Sequence, residues 1–137
     1  MFLPPNEDPA SYIGLSLSEL YDRLGLPESV YAARGLEEWQ DDVVFVYKQG
    51  DFYILRDRVW QAGLKSAMGI RAGDNAATVS LILGSVDSAR PAGNSDLSGG
   101  QDSVSYFLDG KSWPLILRCD FDKQGRIIMI FVYRSDL

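Results

Sequence analysis

The chain contains no histidine, which removes the commonest general base and metal ligand along with every catalytic triad built on imidazole. It has one cysteine, Cys119, so no intrachain disulfide can form. That fits a reducing compartment and a cysteine-poor exported protein equally well. Basic residues are scarce, 13 against 19 acids, for a net charge of −6 and a pI near 4.5. Nucleic acid requires clustered Lys and Arg to displace phosphate counterions. Here Arg56, Arg58, Lys65, Arg71, Arg118, Arg126 and Arg134 are scattered among acids, so nucleic acid is excluded as a partner. No stretch reaches the roughly 18 consecutive apolar residues of a membrane-spanning helix. No glycine-rich phosphate loop is present, and no cofactor motif.

What remains is ordinary globular material. The 137 residues are 46% apolar and 23% charged, enough for a single domain over 1–137 with a real core. The opening Met1–Pro9 lacks the basic start and apolar segment of a signal peptide. It reads as a mature chain whose leader was replaced by methionine, or as a natural cytosolic start.

Ser16-Leu17-Ser18-Glu19 carries a capping box, followed by Leu17, Leu20, Tyr21 and Leu24 on one helical stripe and by Gly25 and Pro27 as terminators. The period then changes to two. Val43–Tyr47, Phe52–Leu55 and Arg58–Ala62 predict an antiparallel meander with turns at Lys48–Asp51 and Asp57. A second helix is expected from a cap at Asn75 through Val79 and Leu83 to Gly84. A flexible loop is expected over 90–102, then strands over Val104–Leu108, Leu115–Phe121 and Arg126–Tyr133.

A 59-residue shift places Gly14 on Gly73, Leu24 on Leu83, Gly25 on Gly84 and Ser29 on Ser88. Such an offset implies one unit used twice. The expected fold class is therefore α+β: a tandem repeat of helix-plus-antiparallel-meander units, at about 11–64 and 69–134. The strands would form one curved antiparallel sheet with helices packed on one face, and Gly25 and Gly84 would be equivalent left-handed helix ends.

The residues Gly14, Ser16, Leu20, Leu24, Gly25 and Pro27 resemble the SmpA/OmlA (BamE-like) envelope lipoprotein domain. A second set matches in the same way: Gly73, Asn75, Val79, Leu83, Gly84, Asp122, Gly125 and Arg126. In tandem the unit is similar to the β-lactamase-inhibitor-protein fold. Val86 stands where that pattern has proline, and the chain opens without a lipobox cysteine. The resemblance implies protein binding at the bacterial cell envelope, periplasmic if a leader was removed. The membrane would be reached only through an anchor absent from this chain.

The chemistry-bearing residues point the same way. Cys119 alternates in register with Leu115, Leu117 and Phe121, as a buried apolar filler would. Asp120-Phe121-Asp122-Lys123-Gln124-Gly125 brushes a calcium-loop pattern, but the twelfth position is Phe131, which excludes an EF-hand. Glu37, Glu38, Asp41 and Asp42 cluster around Trp39, most simply as a solvated strand entrance. No catalytic, cofactor or metal residue is assigned. Arg126–Tyr133 should be an interior strand with Ile127, Met129 and Phe131 on one face and Ile128, Ile130 and Val132 on the other. Trp39, Tyr47, Tyr53, Trp60, Trp113 and Tyr133, with Ile128 and Ile130, are the candidate protein-interaction residues on an open sheet face. The leading reading is a non-enzymatic binding or scaffold module. Its rivals are a small-ligand carrier or enzyme with a pocket between helices and sheet, Trp39 at its mouth, and a cytosolic structural domain.

Overall fold

The computed structural model describes residues 9–33, 42–85, 89–97, 101–109 and 113–136. A 3-10 turn, Pro9–Tyr12, leads into α1, Leu17–Leu24. The Ser16 hydroxyl accepts from the Glu19 N–H at 3.1 Å, and the Ser16 N–H donates to Glu19 Oε1 at 3.0 Å, closing the capping box. Four strands follow: β1 (Ser29–Ala33), β2 (Asp42–Val46), β3 (Gly50–Leu55) and β4 (Arg58–Leu64). After the two-residue strands β5 (Ser66–Ala67) and β6 (Ile70–Arg71) comes α2, Ala76–Leu83, capped by Asn75 Oδ1 on the Thr78 N–H at 2.9 Å. The chain ends in β7 (Ala89–Leu97), β8 (Gln101–Leu108), β9 (Leu115–Phe121) and β10 (Ile127–Arg134).

Eight of the strands form one antiparallel sheet in the order β1-β2-β3-β4-β10-β9-β8-β7. Its central seam pairs β4 with β10, from Ile130↔Leu64 to Tyr133↔Gln61. One face is covered. Tyr12, Ile13 and Leu20 from the first helical segment, and Val79 and Leu83 from α2, pack on Phe52, Ile54, Ala62, Leu64, Leu117, Ile130 and Val132. Burying each large side chain of this kind contributes roughly 1.5–3 kcal/mol, which makes this layer the main source of stability. Both helix entries are fixed to the sheet by backbone. Gly14 N–H donates to Val59 O at 2.7 Å and Gly73 N–H to Ile127 O at 2.9 Å. Arg58 and Arg126 add side-chain bonds to the carbonyls of Gly14 and Gly73, at 3.1 and 2.9 Å.

The expected α+β tandem of helix-plus-meander units is corrected here. Among the described residues the structure is mostly sheet, in one large antiparallel array, and the two helices have eight residues each. The equivalence of the two terminating glycines fails at its anchor. Gly25 has φ 80, but Gly84 is right-handed helical at φ −64, ψ −20. The stretch 90–102, expected as a flexible loop, lies in β7 through Leu97 and in β8 from Gln101, with 98–100 outside the described residues. β1 was not anticipated.

Strand β10 is interior, but its alternation is broken. A register shift between Ile127 and Met129 puts Ile127 in the core, leaves Ile128 at 45% exposure, and returns Ile130 and Val132 to the core. The expected split of 127/129/131 from 128/130/132 therefore does not hold.

Candidate interaction face

The face of the sheet away from the helices is organised in cross-strand rows. Directly opposed residues of neighbouring strands share a face, so the pairing register defines each row. One row crosses all eight strands: Tyr31, Val44, Tyr53, Gln61, Tyr133, Ile116, Phe107, Arg90. The next runs Val46, Asp51, Gly63, Phe131, Arg118, Ser105. A shift in register between Tyr53 and Ile54 lets Trp60 join the first row, its ring edge-on to Tyr53 at 6.4 Å.

At the centre, Arg118 makes a two-pronged bond to Asp120, with Nε to Oδ1 at 2.8 Å and an Nη to Oδ2 at 3.2 Å. Its guanidinium lies 4.9 Å from the Phe131 ring centre and 5.9 Å from that of Tyr133. Opposite the Phe131 ring is Gly63, whose missing side chain leaves room for it. Towards β1, Tyr31 and Tyr53 flank Val44, which is fully buried although it faces away from the helices. Burial pushes the Tyr53 phenol up to about 12, with the hydrogen-bonded Tyr31 hydroxyl and the Asp51 and Asp42 carboxylates adding to the shift. The Trp60 Nε1–H is buried and has no acceptor among the described residues.

The structure divides the sequence-derived candidates. Tyr53, Trp60 and Tyr133 lie together on this face. Tyr47 does not. It is core, its hydroxyl donating to Gly25 O at 2.9 Å and its ring edge-on to Phe52 at 5.6 Å. Ile130 is fully buried under the helices, so it is removed from the interaction set. Ile128 is exposed, at the bulge. Trp113 packs beside Gly14, where a Cβ would stand 2.8 Å from its ring, with the Arg134 guanidinium 4.8 Å from the ring centre. It closes one end of the core. Trp39, Glu37, Glu38 and Asp41 lie outside the described residues, and Asp42 opens β2.

Tyr31, Phe107, Ile116, Phe131 and Arg118 were missed. The alternation Ile116-Arg118-Asp120 against Leu117-Cys119-Phe121 was the signal for the β9 members. Cys119 itself is fully buried, and burial, then the Asp120 charge, pushes its thiol up to about 12. At neutral pH it is a protonated apolar filler. Among the described residues no group of three or more carboxylates or cysteines could hold a metal ion.

No family model and no curated protein matches this chain. Among solved structures it is similar to an extracellular protein containing an SCP domain from Bacillus anthracis, at 12% identity and a TM-score of 0.59. The match covers 99% of this chain and 48% of that one, so this chain spans about half the length of the protein it resembles. At this identity the likeness speaks to fold, and it sets the fold beside that protein in place of the expected tandem repeat. The extracellular setting of that protein is compatible with a secreted or envelope location. Among the described residues no helix is long and apolar enough to cross a membrane.

Proposed function

We propose that this chain is a non-enzymatic binding module of the bacterial cell envelope that engages a protein partner through the open face of its sheet. The supporting observation is the pair of adjacent rows of rings and aliphatic side chains on that face, with Tyr53, Trp60 and Tyr133 in one, Phe131 in the next, and the Arg118–Asp120 pair beside them. Aromatic residues and arginine are the side chains that most often anchor protein interfaces, because each offers a large rigid surface with a polar handle. The resemblance of Gly14–Pro27 to envelope lipoprotein domains favours the same compartment. In this reading the location is periplasmic or envelope-associated, and partner binding is the whole activity.

The test is affinity capture from a bacterial envelope extract, comparing the native chain with Trp60→Ala and Tyr133→Ala. One identified protein should be retained by the native chain and lost from both variants, while Leu81→Ser, on the exposed side of α2, retains it. Equal retention by all four would refute the open-face reading.

A further inference from the structure

Among the described residues the sheet ends on two edges, β1 and β7, that are protected very differently. An unpaired edge invites another strand, and proteins normally block it with charge, proline or a bulge. β7 has all three: Arg90, Pro91, and a register shift between Pro91 and Gly93. β1 has none. Ser29-Val30-Tyr31-Ala32-Ala33 carries no charge, proline or glycine, and it pairs with β2 in unbroken register over all five residues. Ser29 to Ala32 are all exposed, with Val30 at 52% and Tyr31 at 46%. Val30 and Ala32 fall on the helix side, opposite Phe45 and Val43, while Tyr31 falls on the open face opposite Val44. Side chains on both faces of this edge are therefore uncovered.

We propose that β1 is a strand-pairing edge whose occupant is β1 of a second copy of this chain, joining two sheets by antiparallel pairing about Tyr31. What recognises an open edge is an extended segment that supplies the complementary backbone groups and opposes no like charges. β1 meets that requirement itself. A net charge of −6 opposes the close approach of two copies, so contact is least opposed where charge is absent, and β1 is an uncharged five-residue stretch. A two-fold axis reverses the strand onto itself, setting Val30 against Ala32 of the other copy and Tyr31 against its counterpart. Apolar surface is then covered on both sides of the sheet at once. This contact lies at the sheet's edge, so it does not depend on the open-face reading.

Sedimentation velocity of the full chain over a concentration series tests it. A monomer–dimer equilibrium is expected. Tyr31→Lys and Ala32→Lys should each lose the dimer while keeping the native far-UV circular dichroism. Ala32→Lys alters an exposed alanine, so it remains informative if the tyrosine variant unfolds. Trp60→Ala and Leu81→Lys should dimerise normally. A native chain that stays monomeric throughout overturns the proposal. So does a dimer that survives Ala32→Lys, or one that is lost in Trp60→Ala.

Discussion

Phe131 and Gly63 stand opposite each other across the β4–β10 seam, so close that a Cβ at position 63 would sit 3.1 Å from the Phe131 Cε1 and 3.4 Å from Cδ1. The ring thus lies against backbone where two strands distant in sequence meet, and an aromatic over a glycine fills what would be a gap in the sheet surface. Gly63→Val should push Phe131 off the sheet and destabilise the fold by about 1–3 kcal/mol, the usual cost of overpacking. Gly63→Ala should cost less. Chemical denaturation measures the difference, and the Phe131 ring resonances should move in both variants.

The bulge at the start of β10 makes neighbouring isoleucines unequal. Ile130 is fully buried and Ile128 is 45% exposed. Ile130→Ala should cost about 2–5 kcal/mol, as other core truncations of this size do. Ile128→Ala should stay within about 0.5 kcal/mol of the native chain. Equal effects in urea denaturation would show that the register shift is misplaced. For the same reason Ile130→Lys should unfold the protein and not merely prevent binding.

Alkaline pH should destabilise the fold through one half-buried acid, Tyr53, and one buried acid, Cys119. The Tyr53 phenol rises from 10.0 to about 12, and the Cys119 thiol from 9.0 to about 12. Folding raises both values, so the folded state holds these protons more tightly. Their stabilisation is complete below the unfolded values and is lost as pH climbs towards 12. Tyr53→Phe keeps the ring and removes the proton, so it should flatten the loss of stability between pH 10 and 12. Thermal denaturation across that range checks it. Cys119 should also resist alkylation at pH 8 until the chain is unfolded.

The first helix opens with a cap whose two bonds are both local. Ser16→Ala removes the acceptor for the Glu19 N–H and should cost about 1 kcal/mol. Glu19 is held below the ordinary carboxylate range, first by the Ser16 backbone N–H and then by its hydroxyl, with Arg58 adding a charge. A depressed carboxyl stabilises the fold above its unfolded value, and that contribution fades as pH falls through the folded one. Glu19→Gln should therefore show a shallower loss of stability on acidification below pH 4.5.

What was legible in the sequence follows from how local each signal is. The capping box, the Leu20 position and the β2–β3–β4 hairpins depend on residues within a few positions of one another, and all were readable. The alternation of Leu115, Leu117, Cys119 and Phe121 was readable because β9 is regular and buried on one side. β1 was missed because an exposed edge strand needs neither strong strand formers nor alternation. β7 was mistaken for loop because its composition is rich in Gly, Ser, Asn and Pro, and it is a strand through pairing with β8. The β10 bulge leaves no trace in composition, so Ile127 and Ile128 were grouped with the wrong faces and the buried Ile130 was counted among the interaction residues. The open face was harder still. Its rows join residues from all eight strands, and only the sheet order reveals that Tyr53, Trp60, Phe131, Tyr133 and Arg118 are neighbours.

Whether the open sheet face binds the partner is decided by site-specific photo-crosslinking in living bacteria. A photoreactive phenylalanine analogue would replace Tyr53, Trp60 or Tyr133 on the open face, or Leu81 on α2, which is 77% exposed and faces away from the sheet. One discrete adduct to the same partner is expected from each open-face position and none from position 81. Adducts from position 81 with none from the open-face positions would contradict the open-face reading.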